Sequence, residues 1–335
     1  PFIHPACALR RRNELYYVGR NSIMSKKTAL KPRAPRQVRI SRVREQANYW
    51  IMCLPAILWL VFFHLYPMLG NWIAFVDYTP KKGIFGSTFV GLQHFKYLFS
   101  LKDVRNVISN TVIIAVAKII LNLFVPLVFA LMLNEVRNVR FKKFVQTIVY
   151  LPHFISWVIL ASILSKIFGY TGVYNYIMGL FGREPQVLMS NSGFFRWFII
   201  LGEVWKECGF NAIIYLAALT SISPNLYEAA AIDGANRWQS MRSITLPALR
   251  PTVVLLATLA MGNVLNAGFD QVFNLYNPMV YGVADIIDTW VYRIGLVNMN
   301  YSLGTCVGLF KSAISMLLLT TSYALAYKFA DYRIF

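Results

Sequence analysis

The sequence predicts an all-α polytopic membrane protein with six transmembrane helices. Three observations carry that expectation. Hydrophobic residues make up 57% of the 335-residue chain and charged residues only 14%, where a soluble domain is about a quarter charged. Several apolar runs exceed the length of about 18 residues that spans a bilayer core as a helix. The runs are continuous rather than alternating, which argues against a transmembrane barrel, because every backbone polar group in lipid needs an internal partner.

The spans are expected near residues 49–75, 107–133, 144–168, 194–219, 251–275 and 304–328. The first holds Pro55 and Pro67; the second holds Lys118, Asn122 and Pro126. The first run is too long for a cleavable signal peptide, and no small-residue cleavage site follows it. Residues 1–48 read as a basic cytoplasmic tail before a transmembrane domain over 49–335. Met24 is an alternative start, which would leave residues 1–23 as upstream sequence.

The net charge of +19 raises nucleic-acid binding as a function, but its placement argues against it. Twelve Lys/Arg precede residue 49, against the two acids Glu14 and Glu45. No aromatic platform or binding motif accompanies them. A basic flank before a first apolar helix is a cytoplasmic retention signal. With the N-terminus inside, 21 Lys/Arg fall on cytoplasmic segments and 8 on outer ones. That bias places both termini in the cytoplasm, together with residues 221–250. The outer segments 76–106 and 276–303 are long enough to fold over a pore mouth, or they are plain connections.

Cys7, Cys53, Cys208 and Cys306 form no C-x-x-C pair, and no H-E-x-x-H is present. No metal site or disulfide framework is expected. Trp50, Trp72 and Trp197 sit near span ends, where aromatic belts belong. His64 and His153 read as packing or hydrogen-bonding residues rather than proton carriers.

The polar stretch Glu228–Pro247, between two apolar runs, reads as helix–turn–helix. Ser223 and Pro224 make a helix start. Gly234 permits a left-handed turn, and Asn236 can cap a second short helix. Pro247 and Pro251 are expected to reset the backbone before the fifth span. Ala229, Ala230, Ala231 and Gly234 leave a smooth surface on which another protein can seat. Leu226, Tyr227 and Trp238 offer apolar anchors.

Those residues carry a resemblance. Glu228-Ala229-Ala230, then Gly234, then Ile244-Thr245-Leu246-Pro247 reproduces the signature loop of importer-type ABC permeases at the expected intervals. The resemblance covers most of 49–335. It is most similar to the maltose-type carbohydrate permeases, in the oligosaccharide branch, with alginate-oligosaccharide permeases the nearest likeness. It implies a type I importer permease fold in a bacterial inner membrane. It implies a second homologous permease subunit, two copies of a cytoplasmic ATPase subunit and an extracytoplasmic solute-binding protein. In that family the loop seats in a cleft of the ATPase. Glu228, Ala229, Ala230, Asp233, Gly234, Ile244, Leu246 and Pro247 would then be the coupling residues. No G-x-x-x-x-G-K-[ST] phosphate loop is present. ATP and Mg would therefore be bound by the partner, with no cofactor in this chain.

Glu203, Lys206, Glu207, Phe210 and Asn211 fall on one helical face. Charges at mid-membrane are costly and need a partner or a wet cavity. Two readings stay open: a Glu203–Lys206 pair tying helices together, or a lumen face. Asn263, Asn266, Asp270 and Asn274 are expected to form a second stripe, whose amides suit sugar hydroxyls. By the resemblance, the family's two sugar-contacting asparagines match Asn263 and Asn266, and its aromatic contact falls near Phe210. Lys206 would attract an acidic sugar's carboxylate. The rival reading is a proton- or ion-coupled secondary transporter relaying through Glu203, Lys206 and Glu207, which leaves the loop's spacing unexplained. For a membrane enzyme, no nucleophile or metal motif appears.

Overall fold

The computed structural model describes residues 36–330, with side chains from 46 to 324. Residues 1–35 of the expected tail lie outside the described residues. The chain divides into two compact units, Pro1–His64 and Leu65–Phe335.

In the first unit, α1 (Arg36–Leu60) starts well before the expected span and runs through Pro55. Its apolar side chains, such as Ile51, Trp59 and Leu60, are exposed. Its part from Tyr49 to Leu60 is apolar all round with nothing buried, the character of a helix made for lipid.

In the second unit, the segment after the first expected span, expected to lie outside, is folded rather than a plain connection. Strands β1 (Val76–Asp77) and β2 (Thr88–Phe89) pair antiparallel, followed by α2 (Gln93–Ser100). Ser302 locks this hairpin to the last helix: its hydroxyl donates to the Val76 carbonyl at 2.7 Å and accepts from the Tyr78 N–H at 3.0 Å. Next comes α3 (Lys102–Glu135), continuous through Pro126. The third expected span is interrupted. Helix α4 (Val139–Tyr150) passes into a 3-10 turn at Leu151–Phe154, and α5 (Trp157–Phe168) starts afresh. Pro152 lacks the N–H that would continue the ladder, and Ser156 caps the restart by accepting from the Ile159 N–H. A short helix, α6 (Val173–Leu180), follows. The side chain of Asn175 pins its surroundings, donating to the Gly169, Tyr170 and Gln186 carbonyls.

Helix α7 (Ser192–Thr220) matches the fourth expected span. Helices α8 (Pro224–Ile232) and α9 (Arg237–Ser240) form the polar loop. A π turn at Met241–Thr245 leads without interruption into α10 (Leu246–Gly262). Pro247 and Pro251 therefore do not reset the backbone as expected. The wider π turn, closed by the Leu246 N–H on the Met241 carbonyl, absorbs the missing donor and ring crowding around Pro247. The fifth expected span is itself broken: α10 ends at Gly262, and α11 (Phe269–Leu275) starts after an unwound stretch. Helices α12 (Ile287–Val291) and α13 (Tyr301–Ala330) complete the unit.

Among the described residues, five helical stretches are long and apolar enough to cross a membrane: Gln46–Phe75, Lys102–Glu135, Trp157–Leu180, Arg237–Gly262 and Tyr301–Ala324. Helix α7 has the length but carries Arg196, Glu203, Lys206 and Glu207. It lies deep in the unit, with Phe195, Ile199, Ile200, Ala212 and Tyr215 almost wholly buried. Phe195, Ile199 and Ile200 pack with Ile114 and Ala115 of α3, Ala161 of α5 and Val272 of α11. Elsewhere Ile113, Ile120 and Phe124 of α3 and Met316 and Leu317 of α13 stay exposed, the surface acyl chains would cover.

Candidate functional site

The polar loop is more ordered than a connecting segment requires. Ser223 takes the N-cap position in extended backbone, yet its hydroxyl caps nothing; Pro224 in the first turn does the work of starting α8. The helix ends in a Schellman motif. The Ala235 N–H reaches the Ala230 carbonyl at 2.9 Å, and the Gly234 N–H reaches that of Ala231 at 3.1 Å. Gly234 holds φ +77°, the left-handed conformation glycine adopts without a Cβ clash. Asn236 then opens α9 with a reciprocal capping box. Its side chain accepts from the Gln239 N–H at 2.9 Å, and Gln239 accepts from the Asn236 N–H at 2.7 Å. The Tyr227 hydroxyl meets that of Thr245 at 2.9 Å, tying α8 to the π turn. Arg237 and Glu135 approach to 3.5 Å, but both are exposed, and such a pair contributes little.

The result is a rigid knuckle with apolar residues facing outward. Glu228, Ala229, Asp233, Gly234, Leu246 and Pro247 are exposed, while Ala230 and Ile244 are half-buried. Leu226, Trp238 and Ile232 are 52%, 67% and 87% exposed. Three large apolar side chains thus stand exposed on one hydrogen-bonded scaffold.

On α7 the predicted face divides. Lys206 is buried, and its ammonium donates to Glu207 Oε1 at 3.0 Å and to the His153 carbonyl at 2.9 Å. It also sits 5.7 Å from the centre of the Trp157 ring. Glu207 Oε2 lies 2.7 Å from His153 Nδ1, and the His153 ring stacks on Phe210. Lys206, Glu207 and Phe210 are thus brought together, with Asn211 half-exposed beside them. The Glu203–Lys206 pair, one of the two readings left open, is not formed. Glu203 turns instead to Lys118 of α3, at 3.8 Å. The positive charge of Lys206 is already matched inside the protein, which leaves little of it for a sugar carboxylate. His153 and Trp157 belong to this cluster; each stands beside the proline break at Pro152, the one signal that could have placed them opposite α7.

The expected continuous stripe on the fifth span does not exist, because the helix is broken across it. The Asn263 N–H closes the end of α10 on the Ala260 carbonyl, and the Asn266 N–H bonds the Asn263 carbonyl at 2.8 Å. Gly268, at φ +90°, opens α11. Asn263, Asn266 and Asp270 are exposed, while Val264, Leu265 and Ala267 between them are buried. The break therefore sorts polar outward and apolar inward without helical periodicity. Asn274 turns its amide back onto the Asp270 carbonyl, at 2.7 Å.

A profile of the family described as "Binding-protein-dependent transport system inner membrane component" matches residues 124–335. The chain is 42% identical over 294 residues to the polygalacturonan/rhamnogalacturonan transport system permease protein YteP of Bacillus subtilis (strain 168), covering 87% of this chain and 91% of that one. It is 40% identical over 288 residues to Protein LplB of the same organism, covering 85% and 90%. Among solved structures, it aligns with a bacterial ABC transporter involved in the import of the acidic polysaccharide alginate, with a TM-score of 0.81 and 34% identity over 86% of this chain and 98% of that chain. It aligns equally well, at 0.81 and 34%, with a bacterial alginate ABC transporter in complex with an alginate pentasaccharide-bound periplasmic protein, covering 88% and 99%.

Proposed function

The chain belongs to the binding-protein-dependent transport system inner membrane component family, and from that premise we propose how it works. It is a permease subunit of an ABC importer rather than an enzyme, and its cargo is an oligosaccharide delivered by an extracytoplasmic binding protein. The carrying observation is the rigid, outward-facing knuckle at α8–α9, with its Schellman turn at Gly234 and capping box at Asn236. A loop built this firmly, with Ile232 and Trp238 held in water, transmits force from a partner.

In this reading the partner is a cytoplasmic ATPase present in two copies. It binds ATP and Mg, hydrolyses the nucleotide and moves the knuckle. The π turn and α10 follow α9 without a break, so displacement of α9 reaches the break at Gly262–Gly268 along one continuous helix. A second homologous permease completes the membrane core. Both termini and the knuckle lie in the cytoplasm, as the Lys/Arg distribution supports. The membrane is the bacterial inner membrane.

Asn263, Asn266 and Asp270 beside the break, with Phe210 and Asn211 of α7, are the groups available to a sugar. Amides offer both donor and acceptor to hydroxyls. An oligosaccharide with carboxylates is the favoured cargo, because the structural neighbours import an acidic polysaccharide. Transport into right-side-out vesicles of the native membrane, with the binding protein outside and ATP enclosed, tests the reading. Uptake of trigalacturonate or an alginate trisaccharide should stop when ATP on the cytoplasmic side is removed and should persist with an uncoupler. Uptake that survives ATP removal and collapses with the uncoupler would establish the ion-coupled rival instead.

A further inference from the structure

The amide-bearing break between α10 and α11 is held by a side chain from another helix. Lys118, midway along α3, is buried. Its ammonium donates to the Ala267 carbonyl at 2.7 Å and to Oε1 of Gln271. Gln271 is itself wholly buried, and its amide donates to the Ile199 carbonyl of α7 at 2.7 Å. Oε2 of Glu203 lies 3.8 Å from the ammonium and has no hydrogen-bond partner of its own.

These distances separate two roles for the lysine. A tie between α3 and α7 needs only Lys118 and Glu203, and that contact is the longest in the cluster. The close contacts go to the unwound segment. Breaking a helix leaves backbone carbonyls without partners, and a buried unpaired carbonyl is costly. Lys118 satisfies one of them, at Ala267, and fixes the first turn of α11 through Gln271. Glu203 then supplies the countercharge that makes a lysine tolerable at this depth. The ammonium lies close against the segment: a Cβ at Gly268 would stand 3.0 Å from it.

We propose that Lys118, acting with Gln271, is a positioning residue that fixes the backbone of the break so that Asn263 and Asn266 meet the translocated sugar at a set place. This rests on the substrate-path reading of those two asparagines.

The experiment uses the assembled complex in proteoliposomes and has two arms. In the first, the four native cysteines are replaced by serine, Asn266→Cys is introduced, and its labelling rate by a water-soluble maleimide is measured. Lys118→Met should change that rate severalfold, while a cysteine at the exposed position Phe85 labels as before; Lys118→Arg should restore most of the original rate. This arm needs no substrate. In the second arm, with Asn266 intact, Lys118→Met should raise the trigalacturonate concentration for half-maximal uptake by about tenfold, with less effect on the maximal rate. If Lys118→Met fails to insert, Gln271→Leu carries both arms, since it leaves the Lys118–Glu203 pair in place. Unchanged labelling and uptake in both variants overturns the proposal. Changed labelling with unchanged half-saturation keeps the pin but removes the asparagines from the sugar path, which defeats the substrate-path reading without touching ATP-driven import.

Discussion

The imidazole of His153 lies face to face on the ring of Phe210, with centroids 3.9 Å apart and planes 2° from parallel. The same imidazole reaches Glu207, whose other oxygen holds Lys206. One residue beside a proline break therefore orients both the aromatic ring and the charged pair of α7. His153→Ala removes the stack and the hydrogen bond together. It should lower the stability of the purified chain in detergent by about 2 kcal/mol. His153→Phe keeps a stacking ring and should cost less. Thermal unfolding of both variants measures the difference, and equal losses would show that the stack contributes nothing.

Buried Lys206 and half-buried Glu207 form a pair, so removing one partner strands the other. Lys206→Met should destabilise by about 3 kcal/mol, and adding Glu207→Gln should recover part of that loss. A double-mutant cycle on unfolding reads the coupling directly. The competing role for Lys206, attraction of a sugar carboxylate, predicts the reverse pattern: unchanged stability with weaker uptake of acidic sugars only.

Much of this was legible in the sequence. The knuckle could be read because its signals are local: Pro224, Gly234 and Asn236 each fix backbone by their own chemistry, and the structure places a turn or cap at each. The broken fifth span was not legible. Asn263, Asn266 and Asp270 fit helical spacing, and Gly262 and Gly268, residues that can stop a helix, are ambiguous inside an apolar run. What holds the unwound stretch is a tertiary contact, the Lys118 ammonium on the Ala267 carbonyl, from a residue far away in sequence. The Glu203–Lys206 pairing, one of the two readings left open, fell to the same kind of contact. Proximity on one helix suggested it, while α3 and the turn before α5 supplied nearer partners. Proline misled in the opposite direction, because the π turn before Pro247 accommodates it without a break.

Gly234 supplies the turn between the two helices of the knuckle. Proline there would force φ near −65° and remove the N–H bonded to Ala231. Gly234→Pro should abolish uptake while the chain still inserts, as judged by membrane fractionation. Gly234→Ala should be milder, at about 1 kcal/mol for a left-handed alanine, and Gly234→Asn milder still. Normal uptake by the proline variant would remove the knuckle from the coupling path.

Trp238 and Ile232 are exposed on that knuckle, so their removal should spare the chain itself. Trp238→Asp and Ile232→Asp should leave thermal unfolding within about 0.5 kcal/mol of the parent. Both should sharply reduce the ATPase that copurifies with a tagged chain. Quantitative mass spectrometry of the pull-down makes the comparison. Loss of stability in step with loss of the ATPase would mean that the side chains serve the fold.

Asn263 and Asn266 give the most direct test of the cargo path. Both side chains are exposed at a break in a helix that continues rigidly from the knuckle. If each amide hydrogen-bonds a sugar hydroxyl, each lost bond removes about 1 kcal/mol, which corresponds to about fivefold in affinity. Asn263→Ala and Asn266→Ala should each raise the half-saturating sugar concentration by that factor. The double variant should approach the product of the two, because the residues act on separate hydroxyls. Neither substitution touches the knuckle, so the amount of copurifying ATPase and its basal rate should hold. Uptake kinetics that match the parent in both single variants would exclude these amides from the site and move attention to Phe210 and Asn211 on α7.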